Sequence, residues 1–173
     1  MDQPGGALFA PRSTHGRFDN PDLYESFYLA RDKQGAIIER CGEFAVSWHA
    51  DQLLVRISAF PDPLHLALAE YEIDTELFDF YAIRELAALS VSTVLDVMAR
   101  DRARAQGLAR QAFQHQSDRA GLTWWSFYDP ELANVMLWKK DTLRLIGNPM
   151  QLTITSPIIT ETARRFFRQV ASR

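Results

Sequence analysis

Arg17, Tyr28, Glu39 and Ser126 are the residues of this sequence whose types and settings best suit chemistry. Arg17 follows Gly16 in "HGRFDNP". Arginine offers a planar fork of fixed charge that matches phosphate-like anions, and a neighbouring glycine lets a ligand approach the backbone. Tyr28, inside the apolar "ESFYLA", supplies a flat ring and a hydroxyl. Glu39, in "GAIIER", supplies a carboxylate, the group that stabilises positive charge developing in a transition state. Ser126 is a hydroxyl among Trp124, Trp125 and Phe127. Each also has an ordinary reading: a solvated loop charge, a core tyrosine, a surface helix carboxylate, a turn or cap serine.

The rest of the sequence narrows the classes open to these residues. At 173 residues the chain is most simply one domain, residues 1–173, long enough to bury a substantial core. A net charge of −3 with scattered Lys and Arg gives no basic footprint for nucleic acid. The single cysteine, Cys41, builds neither an intramolecular disulfide nor a thiolate metal site alone. His15, His49, His65 and His115 lie at least sixteen residues apart, so no metal site is expected. The start "MDQPGGALFA" has no secretory pattern, and no apolar run approaches the ~18 residues of a membrane span. The chain reads as a cytoplasmic protein. Neither a Gly-x-Gly-x-x-Gly nor a P-loop is present, and no Gly-x-Ser-x-Gly elbow supports a serine hydrolase.

The elements that must position the four residues follow from periodicity. "ESFYLA" (25–30) reads as a buried strand after the "DNPD" breaker. A helix begins after Asp32 as N-cap, with Ile37, Cys41, Phe44 and Trp48 as its apolar stripe. Glu39 falls about 200° from Ile37 on that wheel, off the stripe. Residues 52–60 and 64–73 read as strands, 81–89 as a short helix, and 101–116 as a longer one with Ala105, Leu108, Ala109, Ala112 and Phe113 on one face. "ANVMLWK", "TLRLI" and "QLTIT" read as late strands, the last two divided by a "GNP" turn. A final helix opens at Ser156-Pro157 or Thr160, with Ala163, Phe166, Phe167 and Val170 as its stripe. Trp124, Trp125 and Trp138 are core candidates. No regular βαβ beat appears, so an α+β fold with a mixed or antiparallel sheet is expected.

In order, Gly16-Arg17-Phe18, Phe27-Tyr28-Leu29-Ala30 and Ala36-Ile37-Ile38-Glu39 resemble the opening of the RES domain family, named for an arginine, a glutamate and a serine. "FDFYAIREL", "RAQGLAR" and "AGLTWWSFYDPELANVMLW" are similar to its later motifs, the last placing the serine at Ser126. The resemblance spans roughly residues 8–145. Two departures lie at the start. Only sixteen residues precede Arg17, where members carry a longer leader, and His15 stands where a second glycine is common.

The resemblance implies an ADP-ribosyltransferase-like layout and an enzyme that consumes NAD as its substrate, with no metal. It implies a toxin of a bacterial type II toxin–antitoxin pair, neutralised by an Xre-like helix-turn-helix antitoxin with a C-terminal toxin-binding region. It assigns catalysis to Arg17, Glu39 and Ser126, and NAD binding to Arg17, Tyr28 and Ser126. The competing class is a degenerate RES-fold module that only binds a partner, which the intact Arg17–Glu39–Ser126 set opposes. A serine hydrolase using Ser126 is a third class, against which the missing elbow and lack of a nearby histidine count.

Overall fold

The computed structural model describes residues 14–42, 46–55, 64–91, 97, 101–115 and 118–171. The fold is α+β. The chain forms two compact units, one comprising Met1–Ala30 with Glu72–Arg144, the other Arg31–Tyr71 with Leu145–Arg173.

In the first unit a four-stranded sheet runs in the order β1 (Phe27–Ala30), β8 (Ala133–Leu137), β7 (Gly121–Trp125), β6 (Phe78–Asp79). The pairs β1–β8 and β7–β8 are antiparallel, and β6–β7 is parallel. Register sets Tyr28 opposite Met136, and Met136 opposite Leu122. Since strand side chains alternate between faces, Tyr28, Met136, Leu122 and Trp124 share one face, while Phe27, Val135 and Leu137 take the other. The first face carries the larger core. Phe18, Tyr24, Phe78, Phe80, Leu122, Trp124, Met136 and Trp138 pack there with Ala105, Leu108, Ala109 and Ala112 of a helix at Arg102–His115. That helix presents its apolar stripe as its periodicity predicts. Phe113 is only partly buried at the edge.

A shorter helix, α2 (Ile83–Ala88), is tied to β6 by Glu85. Its carboxylate accepts the Asp79 N–H and pairs with Arg119 at 2.7 Å, both side chains largely buried. Arg119 also donates to the Leu77 carbonyl at 3.0 Å. A buried pair satisfied in this way fixes register more surely than it adds stability.

In the second unit, α1 (Lys33–Cys41) begins at Asp32, whose side chain accepts the Gly35 N–H at 2.7 Å, the expected N-cap. It buries Gly35, Ile37, Ile38 and Cys41 and leaves Glu39 exposed. The helix ends at Gly42, so the stripe does not reach Trp48. That residue lies buried on β2 (Ser47–Trp48), which pairs in parallel with β10 (Gln169–Val170). Phe44 lies outside the described residues.

The strand expected over 52–60 is a 3-10 turn at Ala50–Leu53 followed by β3 (Leu54–Val55), with 56–60 outside the described residues. β3 pairs with β4 (Leu64–His65). Residues 64–73 are extended as expected, in β4 and β5 (Ala67–Ile73).

Two further expectations are corrected. "GNP" does not turn the chain: β9 runs through it from Leu143 to Gln151, paired with β5, and Gly147 absorbs a left-handed φ of +64° within the strand. Leu152–Thr155 are therefore not a separate strand. The last helix, Pro157–Arg165, has proline in its first turn after Ser156 and buries Ile159, Thr162 and Ala163. It stops before Phe166, because Phe167 turns left-handed (φ +55°) and Arg168 N–H reaches back to the Ala163 carbonyl at 2.7 Å, a Schellman-type ending. Val170 lies on β10 instead.

Two predictions come from these helix ends. Phe167 holds the position that favours glycine, and its side chain is 89% exposed, so the ring returns no burial for the strain. Phe167→Gly should raise stability by about 1 kcal/mol, read as a higher denaturant midpoint at unchanged slope. Cys41 is 3% exposed, and burial pushes its thiol pKa up, with Arg40 opposing weakly. A thiol reagent should label the native chain at least ~10²-fold more slowly than the unfolded chain.

Candidate functional site

The Gly16–Asn20 turn is held from inside. The Gly16 N–H donates to Asp19 Oδ2 at 2.7 Å, and the Asp19 N–H to the Gly16 carbonyl at 3.4 Å. Tyr28 Oη donates to Asp19 Oδ1 at 2.9 Å and accepts the Phe18 N–H at 2.8 Å. Below these, Tyr24 Oη donates to the Phe18 carbonyl at 2.7 Å, and Asn20 Nδ2 donates to Tyr24 Oη at 2.8 Å and to the Gln106 carbonyl at 3.0 Å. Gln106 Nε2 returns bonds of 3.1 Å to the carbonyls of Thr14 and Gly16. The turn is thereby fastened to the long helix behind it.

Arg17 projects from this turn, half-buried. Its guanidinium donates to the Val97 carbonyl and lies 5.5 Å from the Phe18 ring centroid. Phe18 anchors the turn on the sheet, edge-on to Trp124 at 4.7 Å and to Phe80 at 5.7 Å.

Tyr28 is not the buried strand residue its setting suggests. It is 43% exposed, while its hydroxyl is committed to the turn. Burial of that hydroxyl, with the Asp19 carboxylate beside it, pushes the phenol pKa well above the usual tyrosine value. What Tyr28 presents outward is therefore ring surface, with Trp124 set edge-on to it at 6.1 Å.

Ser126 follows Trp124 by two residues, and its N–H donates to the Leu132 carbonyl at 2.7 Å, carrying the β7–β8 pairing one step past the strand. Its side chain accepts the Tyr128 N–H at 3.1 Å, closing the loop that leads to β8, and the residue is 2% exposed. That is the turn-serine arrangement. Trp124 and Trp138 are core residues as expected, whereas Trp125 is only partly buried and packs against Tyr81 at 5.0 Å.

Arg17, Tyr28 and Ser126 thus belong to one unit, with Arg17 and Tyr28 bound into one turn and Ser126 in the strand row of Trp124. Glu39 belongs to the other unit, on the exposed face of α1. The residues that sequence reading passed over are Asp19, Asn20, Tyr24 and Gln106. "DNPD" signals a turn, which the Asp19 and Asn20 side chains stabilise, but nothing local signals that Gln106 closes it from ninety residues away.

A family model described as RES domain matches residues 3–156. The chain belongs to the RES domain family. The matched stretch contains all four candidate residues and ends at Ser156, the residue before the last helix. RES domains are ADP-ribosyltransferase-like and are associated with toxin–antitoxin systems and NAD-related activity. No curated protein and no solved structure matches the chain. Among the described residues, no helix of this RES domain is long and apolar enough to cross a membrane.

The turn generates a sharp prediction. A methyl at position 16 would stand 2.4 Å from Asp19 Oδ1 and 2.6 Å from Tyr28 Oη. Gly16→Ala should lower stability by about 1–3 kcal/mol, the scale of overpacking, as measured by denaturant unfolding. Ala substituted at Gly107, whose Cβ would meet nothing within 4 Å, is the control and should be neutral or mildly stabilising.

Proposed function

We propose that this RES domain is an NAD-consuming toxin of a bacterial type II toxin–antitoxin pair that cleaves the nicotinamide–ribose bond. The observation that supports this reading is the turn that carries half-buried Arg17 and is tied, through the Phe18 N–H and Asp19, to the hydroxyl of Tyr28, whose ring is partly exposed. A dinucleotide offers that pair a charged pyrophosphate and a flat cationic ring. Arg17 suits the pyrophosphate, since a planar guanidinium binds phosphate oxygens bidentately. The Tyr28 ring suits the nicotinamide, by stacking and by cation–π attraction. Its hydroxyl takes no part, being used by Phe18 and Asp19.

In the reaction the C1′–N bond breaks and its electron pair leaves with the nicotinamide nitrogen, which becomes neutral. Positive charge builds on the ribose, as in glycoside hydrolysis, and a nucleophile closes on C1′. We assign Glu39 to stabilise that charge, and Ser126 to hold the loop beside the aromatic face. The ADP-ribose passes to water, phosphate or a protein acceptor, giving either NAD degradation or ADP-ribosyl transfer. The partner on this reading is an Xre-like helix-turn-helix antitoxin whose C-terminal region binds the toxin, and the compartment is the cytoplasm.

A second reading, a RES-fold module that binds a partner without turning over NAD, draws on one observation. The hydroxyls of Ser126 and Tyr28 both serve turns of the fold. Release of free nicotinamide by the purified chain separates the two readings. On the toxin reading, Glu39→Gln should lower turnover by ~10²-fold or more with little change in NAD affinity, because the charge it offsets barely exists in the ground state. Arg17→Ala should weaken both affinity and rate, since pyrophosphate is charged throughout. Near-normal nicotinamide release by folded Glu39→Gln would remove Glu39 from the mechanism.

A further inference from the structure

Asp19 lies within the turn, 2% exposed, and both of its oxygens are used. Oδ2 accepts from the Gly16 N–H at 2.7 Å and Oδ1 from Tyr28 Oη at 2.9 Å. One bond fixes the backbone immediately before Arg17, and the other holds the hydroxyl of Tyr28. An aspartate that served only to make a turn would need the first bond alone. The second reaches nine residues along the chain to a different element, β1, and ties it to the turn that carries Arg17.

Hydrogen bonds to a carboxylate are shorter and roughly twice as strong as neutral ones, so this junction is stiff. The Phe18 N–H donating to the same Tyr28 hydroxyl closes it into a ring of bonds: Gly16 to Asp19, Asp19 to Tyr28, Tyr28 to Phe18. Displacement of Asp19 must therefore shift Arg17 and Tyr28 together.

We propose that Asp19 is a positioning residue of the NAD site: it touches no substrate and acts by holding the Gly16–Arg17 backbone and the Tyr28 ring in one arrangement. This rests on the NAD reading of the site. It singles out a carboxylate to which neither catalysis nor binding has been assigned above. It also explains why Tyr28 is tyrosine rather than phenylalanine, although the hydroxyl faces away from solvent.

Asp19→Asn is the direct test. Asparagine keeps the shape but loses the charge and turns one acceptor oxygen into an amide donor, so at most one of the two bonds survives in its present direction. The expected result is a KM for NAD raised about tenfold or more, with kcat falling less. Tyr28→Phe cuts the same junction from the other side and keeps the ring. It should raise KM similarly, and the double variant should be little worse than either single one.

A readout independent of NAD is hydrogen exchange of the Gly16 and Phe18 amides, followed by NMR. Asp19→Asn should speed exchange at both amides, since the carboxylate that holds the Gly16 N–H and fixes the Tyr28 hydroxyl over the Phe18 N–H is gone. Folded Asp19→Asn with wild-type KM overturns the proposal, as does full additivity in the double variant. If Asp19→Asn does not fold, Tyr28→Phe decides alone, and an unchanged KM overturns it. If the wild-type chain releases no nicotinamide, the NAD reading itself fails. The amide exchange then judges Asp19, and unchanged exchange at both amides in Asp19→Asn removes the positioning role.

Discussion

Phe18 has no exposed surface, and its ring is gripped edge-on by Trp124 and Phe80 while its backbone sits in a polar cage. Burying such a ring is worth about 1.5–3 kcal/mol, but only if the peptide groups carried in with it find partners. They do so through two tyrosines: Tyr28 Oη takes the Phe18 N–H, and Tyr24 Oη gives to the Phe18 carbonyl. Because Tyr28 comes from β1 and Tyr24 from the segment before it, satisfying one peptide aligns the turn with the sheet. Arg17 is the immediate neighbour of this anchor, so its half-buried position starts from the burial of Phe18, and the Gly16–Asp19 bond and the Val97 carbonyl complete it. The arginine's placement therefore rests on core packing and on the hydrogen bonds of the turn together.

Legibility differed between elements for physical reasons. The helices at Lys33–Cys41 and Arg102–His115 were readable because their buried positions, Ile37 and Cys41, then Ala105, Leu108, Ala109 and Ala112, recur at helical spacing. Their ends were less so. Trp48 and Val170 keep the spacing of the preceding stripes, yet a parallel pairing between β2 and β10 claims both, and such long-range pairing leaves no local trace. "GNP" misled because Gly147 and Pro149 suit a turn by composition, while a strand with little burial tolerates both. In the site, residue types pointed to Arg17 and Tyr28, but not to the direction of the Tyr28 hydroxyl. That direction depends on Asp19 and on the Phe18 peptide, two partners that no periodicity reveals.

The same cage bears on which carboxylate can serve chemistry under the NAD reading. A group that stabilises a cationic ribose must keep an oxygen lone pair directed at the substrate when charge appears. Asp19 is nearest to Arg17 in sequence, but it is buried and each oxygen already accepts a bond from the fold. Glu85 is likewise spent, on Arg119 and on the Asp79 N–H. Both carboxylates are anchors whose removal would be felt first in the positions of other residues. Glu39 stands on the exposed side of a capped helix, off the stripe that buries Ile37, Ile38 and Cys41. The helix packs through that stripe, which does not include Glu39. A carboxylate so placed can be exchanged for an amide with little penalty to folding, and this separates the kinetic consequence of its charge from the structural consequences that attend every anchor in the turn.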